Sequence, residues 1–371
     1  MDSIDHWYHI EYVDEIDTPF LAVYKARIQF NIDQMIRIAG GANKLQPHVK
    51  TYKMPEVVAM QINSGINKFK CATIAEAEML GMSEARQILL AYQPNSVKLQ
   101  RLISLIFEYP GSTFSTIIDN ISAADMIDKA CGVRGIKLDI YLDINNGNNR
   151  TGILPAEAPI LIKKCGHLNN IILKGFHVYD GHIHLSDFEE RKIKCDEDYM
   201  KIEEAAETYI SLFNENPLII AGGSPTFPIH ADRPEVITSP GTTLFWDAGY
   251  GEKFDEMPFI QAAVLITRVI SIPGEGIICL DLGHKSVASE NPLENRVRFL
   301  NGEGLIPISQ SEEHLVVENS LNANFEVGDI IYALPYHICP TTALYNEVAV
   351  VENNKVVANW KVAARGRRIL I

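Results

Sequence analysis

The stretch KFKCATIAEAEMLGMSEARQILLAY, residues 68–92, reads as a strand, a helix and a second strand in close succession. Residues 68–73 and 87–92 are short β-type runs, and the segment between them carries helical spacing. A helical crossover of that kind returns the next strand parallel to the first. The same alternation extends outward in both directions. Residues 45–50 form a candidate strand before it, and residues 113–119, 137–144, 171–179, 217–222 and 235–239 follow. In the segment 26–39, Ile28, Ile32, Met35, Ile36 and Ala39 share one helical face, and Gly40 is placed to stop the helix. Segments 55–64 and 97–108 read the same way. With Phe20–Tyr24 there are nine strand candidates, which suits a closed eight-stranded barrel plus one strand outside it, and Phe20–Tyr24 is that outsider. An open doubly wound sheet is the alternative, but no Gly-rich dinucleotide fingerprint follows an early strand.

After about residue 255 the helical spacing fades, and strand-like runs with turn signals such as Pro273-Gly274 and Asn353-Asn354 take over. The expectation is an α/β chain: a (β/α)8 TIM-type barrel over residues 18–255, then a C-terminal β domain over residues 256–371. Residues 1–17 are expected to associate with the latter.

The bulk numbers exclude several function classes. A length of 371 residues suits two domains, and 47% hydrophobic with 22% charged residues is ordinary for a globular chain. A net charge of −14 argues against a nucleic-acid partner, which calls for clustered Lys and Arg. No stretch suggests a membrane span, and residues 1–15 lack the pattern of a signal peptide. The six cysteines are scattered without CxxC spacing, which reads as reduced thiols in a cytoplasmic protein.

Mapped onto these strands, the unusual polar residues gather at strand ends. Lys50 closes one strand, Asn149 and Arg150 follow another, and His177 and Tyr179 finish a third with His182 and His184 just beyond. Gly222, Gly223, Ser224 and Thr226 follow the next strand, and Gly241 and Thr242 the last. In a barrel all of these lie at the C-terminal face, where barrel enzymes build their sites. The two glycine loops suit one phosphate, although such turns are commonly no more than turns. An amine beside a phosphate site, with Arg150 and Tyr179 converging, suits a Schiff base with a phosphorylated aldehyde cofactor. The plainer reading of Lys50 is a rim lysine whose stem lies along the barrel. In YHICPTT, residues 336–342, strand alternation would point His337 and Cys339 the same way, a donor pair for zinc or another borderline metal. A buried cysteine beside a satisfied histidine is the plainer reading there.

PHVKTYK at Pro47 resembles the PHxKTHK segment of the D-threonine aldolase and D-serine dehydratase-like family. These are fold-type III pyridoxal-phosphate enzymes related to the N-terminal domain of alanine racemase. The likeness continues through CATIAEAEML at Cys71, DINNGNNRTG at Asp143, GFHVYDGH at Gly175, GGSPTF at Gly222, SPGTTLFWD at Ser239, DLGHKS at Asp281, SEEH at Ser311 and PYHICPTTAL at Pro335. The resemblance implies pyridoxal 5′-phosphate on Lys50, with Arg150 by its phenolic oxygen and Tyr179 near its ring. Gly222, Gly223, Thr226, Gly241 and Thr242 would hold the phosphate, and His337 and Cys339 a divalent metal, Zn or Mn. It also implies a D-amino acid substrate and a homodimer whose site is completed by the partner's C-terminal domain. Gln46 and Tyr52 depart from the Arg and His that family members often carry, and Ser239 stands where alanine racemases have Arg.

The resulting expectation is a lyase acting on β-hydroxy-D-amino acids, D-threonine aldolase-like, yielding glycine and an aldehyde, with His182 or His184 as base. The alternative is a D-serine dehydratase-like elimination to a keto acid and ammonia, which Cys339 favours over the Asp of many aldolases. Two readings from other classes are a non-catalytic pyridoxal-phosphate homeostasis protein and a metal-dependent barrel hydrolase.

Overall fold

The computed structural model describes residues 6–371. The chain divides into two compact units, residues 6–34 with Thr242–Arg365, and Met35–Gly241 with Gly366–Ile371. The divisions fall at residues 34/35, 241/242 and 365/366.

Strands are numbered along the chain. β1 (Phe20–Tyr24) belongs to the first unit. The second unit holds β2 (Lys68–Cys71), β3 (Gln87–Leu90), β4 (Thr113–Ile118), β5 (Leu138–Asp143), β6 (Ile171–Val178), β7 (Leu218–Ala221) and β8 (Val236–Thr238). These seven form one curled parallel sheet in chain order, each joined to the next by a crossover. Leu89, Ile117, Tyr141 and Ile220 form an apolar cluster from β3, β4, β5 and β7.

The closed eight-stranded barrel is corrected to a seven-stranded half-barrel. Residues 45–50, expected as a strand, make only isolated bridges, Leu45 to Thr238 and His48 to Lys70. Gln46 N and His48 N donate to Thr238 O and Pro240 O at 2.8 and 2.9 Å, and Lys70 N donates to Pro47 O at 2.9 Å. Pro47 has no N–H to continue a ladder. Val49–Thr51 then turns into a 3-10 helix, so Lys50 sits in a turn and not at a strand end.

β6 carries a bulge, because its register against β5 shifts between Leu173 and Gly175. Gly175 has φ +145°, and a Cβ there would lie 2.0 Å from Leu218 O. Only glycine permits that approach, and the bulge re-aims the residues that follow, including His177 and Tyr179.

The first unit is built on a nine-stranded sheet. It contains β1 with β9 (Ala263–Gly274), β10 (Ile277–Leu280), β11 (Val297–Phe299), β12 (Leu305–Gln310), β13 (Leu315–Asn319), β14 (Ile330–Pro335), β15 (Glu347–Glu352) and β16 (Lys355–Lys361). β1 pairs parallel with β15 and antiparallel with β9, so the strand set outside the barrel belongs to this sheet. Tyr8, Ile10, Ala22, Tyr24, Val264, Ile266, Tyr332 and Leu334 form its core. Within this unit Asn31 is fully buried. Its Nδ2 donates to Leu244 O and Ile260 O at 3.0 and 2.7 Å, and its Oδ1 accepts from Ile260 N at 3.0 Å.

Asn31→Leu strands two carbonyls and one N–H at once, so it should lower stability to chemical denaturation by about 2–4 kcal/mol. An unchanged urea midpoint would show those groups find other partners.

Candidate active site

In the second unit a cavity of about 520 Å³ is lined by His48, Lys50, Ala72, Tyr92, Gln93, Asp119, Asp143 and Arg150, among others. Tyr179, just past β6, is the centre of a cationic group. Lys50 Nζ, Lys70 Nζ and Arg150 Cζ lie 5.9, 5.4 and 4.9 Å from its ring centroid. Lys70 is 2% exposed. Burial first, and the Lys50 charge next, push Lys70 down to about 7. Arg150 arrives through the loop after β5, where Asn145 Oδ1 accepts from Gly147 N and Asn149 N at 3.2 and 2.9 Å.

Two histidines lie near these cations. Burial and the neighbouring lysines push His48 well below its usual range, and its Nδ1 accepts from Lys50 N at 3.2 Å. The neutral ring therefore carries its proton on Nε2. His177 is arranged the opposite way. Its Nδ1 lies 2.7 Å from Asp143 Oδ1, leaving Nε2 as an acceptor. Burial opposes ionisation of Asp143, yet its contacts with His177, Thr151 and Arg150 hold it below the usual carboxylate range. Burial outweighs Asp143 at His177 and lowers its pKa. His177 Nε2 and Asp143 Oδ2 are buried without a protein partner.

The glycine loop after β7 packs against the same tyrosine. A Cβ at Gly223 would lie 3.1 Å from the Tyr179 ring, and one at Gly181 2.2 Å from it. Gly222, at φ +80°, would place a Cβ 2.7 Å from His230. Gly223 N donates to Thr226 Oγ1 at 3.2 Å, and that hydroxyl donates to Asp180 Oδ1 at 2.8 Å. Gly241 N donates to Ser224 Oγ at 3.3 Å, which ties the second candidate loop to the first. Behind them Asp180, Cys195 and His230 form a buried donor cluster in which His230 Nε2 lies 2.7 Å from Asp180 Oδ2. Arg233 meets His230 Nδ1 at 2.6 Å. Since arginine only donates, His230 carries its proton on Nε2 and donates it in a hydrogen bond to Asp180, so this cluster is a satisfied hydrogen-bond network.

In the first unit, His337 and Cys339 come together, but not through strand alternation. β14 ends at Pro335, and Ile338–Thr342 is a short helix with His337 at its N-cap. The expected strand is corrected to a cap: Asp247 Oδ2 accepts from Ile338 N at 2.9 Å and Oδ1 from Tyr250 N at 3.0 Å, fixing the turn. Burial raises Asp247 to about 6 against those hydrogen bonds. Thr242 Oγ1 lies 3.4 Å from Cys339 Sγ. His337 Nδ1 meets Glu290 Oε1 at 2.5 Å. Burial opposes charge on His337, but hydrogen bonding to Cys339, with Asp247 and Glu290, raises it to about 9.

Of the remaining sequence candidates, His182 Nε2 is held by buried Asp198 at 2.8 Å, and His184 is exposed. Lys70, Asp143, Asp180, His230, Asp247 and Glu290 were not singled out. Lys70 carried a signal, being a lysine between Phe69 and Cys71 in a short strand of a sheet covered on both faces. Glu290 and Asp247 are distant in sequence from the residues they serve.

The donor sets suit both expected groups. The cations around Tyr179, the unpartnered His177 Nε2 and the glycines pressed against the ring suit an anionic aromatic cofactor, and the imidazole–thiol pair suits a borderline divalent ion. All six cysteines are free, and among the described residues no helix is long and apolar enough to cross a membrane.

The family described as "Alanine racemase, N-terminal domain" matches residues 23–248, and "Putative serine dehydratase domain" matches residues 262–351. The chain is 26% identical to the 3-hydroxy-D-aspartate aldolase of Paracoccus denitrificans (strain Pd 1222) over 95% of its length and 93% of that protein. Its fold is that of the D-threonine aldolase from Filomicrobium marinum, with TM-score 0.88, 23% identity, and 97% and 99% of the two chains covered. It also matches a metal-free cysteine-to-alanine variant of D-threo-3-hydroxyaspartate dehydratase, an enzyme whose solved structure is from Delftia sp. HT23. For that variant the TM-score is 0.81, with 21% identity over 94% of this chain and 98% of the other. The chain belongs to the alanine racemase N-terminal-domain family, resembles its D-threonine aldolase and D-serine dehydratase-like members along nearly its whole length, and is a pyridoxal-phosphate-dependent lyase.

Proposed function

We propose that this lyase acts on β-hydroxy-D-amino acids with the help of a divalent metal, and that its reaction is retro-aldol cleavage to glycine and an aldehyde. The observation that carries the reading is the group of Lys50, Lys70 and Arg150 around the Tyr179 ring, with His177 Nε2 unpartnered beside them. The names of the relatives support the substrate class, since hydroxyaspartate and threonine both carry a β-hydroxyl. Elimination to a keto acid and ammonia is the second reading. It is favoured by the serine dehydratase match spanning His337 and Cys339, and by the solved dehydratase in which loss of a cysteine accompanies the metal-free form. The match over residues 262–351 also counts against a non-catalytic binding barrel.

When bound, the cofactor supplies an electron sink at Cα and the metal a Lewis acid for the hydroxyl. Lys50 Nζ holds the cofactor covalently. Arg150 and Lys70 offset the negative charge of its ring oxygen and of the substrate carboxylate. Gly222, Gly223, Thr226, Gly241 and Thr242 hold the phosphate, with Thr226 braced by Asp180. His337 and Cys339 hold the metal. For proton movement, His177 Nε2 is set as an acceptor and His48 Nε2 as a donor. His182 and His184, the bases suggested by sequence, are proposed for the same step with weaker support, since Asp198 occupies His182. A homodimer is proposed as the working assembly.

Protein reconstituted with pyridoxal phosphate should release glycine and aldehyde from D-threonine or D-3-hydroxyaspartate when Mn²⁺ or Zn²⁺ is present. Keto acid and ammonia in place of glycine would replace the aldolase by the dehydratase. Lys50→Ala should abolish both the visible cofactor band and borohydride trapping, and persistence of trapping would move the attachment elsewhere. His337→Ala should keep the band but lose metal-dependent turnover, and full turnover after chelation and metal return would overturn the metal assignment.

Lys70 gives a pH prediction. Its folded pKa of about 7 lies below the ordinary lysine value of 10.5, so the unfolded chain binds more protons between those limits. Stability of the cofactor-free protein therefore gains from this group as pH rises from about 7 towards 10. Lys70→Met should flatten that rise, by up to about 1.4 kcal/mol per pH unit. Equal slopes for the two proteins would mean Lys70 is charged in the fold.

A further inference from the structure

We infer that Glu290 is a positioning residue for the metal, holding His337 so that its other ring nitrogen meets the ion. The inference rests on the proposed metal role of His337 and Cys339. Its basis is the hydrogen bond between His337 Nδ1 and Glu290 Oε1, whose atoms lie 2.5 Å apart. A carboxylate only accepts, so Nδ1 carries a proton and Nε2 is the atom left to ligate. Metal-bound histidines are commonly oriented in this way, and the partner raises the ligand's basicity.

The rest of the cluster fixes the other degrees of freedom. Asp247 pins the backbone between the two donors through Ile338 N. Thr341 Oγ1 donates to His337 O at 2.8 Å, and Ala288 N donates to Thr341 Oγ1 at 3.2 Å. That second bond ties the segment carrying Glu290 to the turn carrying His337. Thr242 Oγ1 touches Cys339 Sγ. Each donor thus has a brace, and Glu290 is the one that acts on the imidazole ring itself.

Glu290 and His337 side chains are each 46% exposed, so an alternative is a surface ion pair with no bearing on the metal. Zinc affinity separates the two. Purified protein, loaded with pyridoxal phosphate, is titrated with Zn²⁺ against a chromophoric chelator. Glu290→Ala should weaken zinc binding about 10–100-fold, the range found when such partners are removed. Glu290→Asp, which keeps the carboxylate, should recover part of that loss. Glu290→Gln should lie near the alanine variant in affinity while keeping the fold, and the cofactor band should be unchanged in all three. Equal zinc affinity in wild type, Glu290→Ala and Glu290→Gln would overturn the inference while leaving the metal site standing. If the wild type binds no stoichiometric zinc, or binds it as tightly after Cys339→Ala, the metal site falls and the inference with it.

Discussion

Three cationic side chains share the neighbourhood of one aromatic ring, and much of the second unit is arranged around the electrostatic cost of that grouping. Lys50, Lys70 and Arg150 lie within 6 Å of the Tyr179 centroid. Lys70 has almost no access to water, and its amine meets the constraint partly by giving up its proton readily. The ring face offers a weak attraction to each cation. Nearby carboxylates add more, but Asp143 is tied to His177 and Asp180 to His230 and Thr226. A bound anion would satisfy the cations more fully than these committed acids do, and that is the electrostatic basis for the proposed cofactor pocket.

The same economy of committed partners shapes the glycine loop after β7, where the phosphate is proposed to sit. Gly223 N and the Thr226 hydroxyl are both engaged, and the donors converge on Asp180, which accepts from Thr226 Oγ1 and from His230 Nε2, with Arg233 donating to His230 behind it. Such a network holds a loop of small residues in one shape at the end of a short strand, which a backbone cradle needs if it is to receive an anion without reorganising. The Asp180–Cys195–His230 group has the donor types of a metal centre, but Arg233 dictates a protonated Nε2 facing Asp180. It is a brace for the loop.

Much of this was legible in the sequence because parallel β/α units write themselves in hydrophobic period. β2 to β8 all fall within the expected runs, each shortened by a residue or two at its ends. The misreadings have local causes. Residues 45–50 look like a strand by composition, but Pro47 cannot continue a ladder and the chain turns at Val49, so the sheet keeps seven strands. His337 and Cys339 look like strand neighbours, and are brought together by a helix cap. β11 and β12 leave little mark in the sequence: β11 is three residues long, and β12 contains Pro307 and is largely exposed, so neither shows a clean alternation. Lys70 is a different kind of omission. A lysine in a strand with no water on either face has to be paired or neutral, which the hydrophobic pattern of the barrel already implies.

Glu290 and Asp247 lie beyond such reasoning, and the cause is physical. The proposed ligand His337 can be recognised by residue type near a cysteine, but its orientation depends on a carboxylate 47 residues away. Asp247 serves two helix starts at once, capping Ala248–Lys253 with one oxygen and Ile338 N with the other. A cap is visible in sequence as an Asp before a helix, while its second client, 91 residues on, is not. Sharing one buried carboxylate between two N-termini couples the turn that presents His337 and Cys339 to the helix after Trp246. The thiol and imidazole therefore do not depend on a flexible loop for their separation. Their geometry is inherited from two caps and a sheet, which is the rigidity that the proposed metal site, with two protein donors, would require to select an ion.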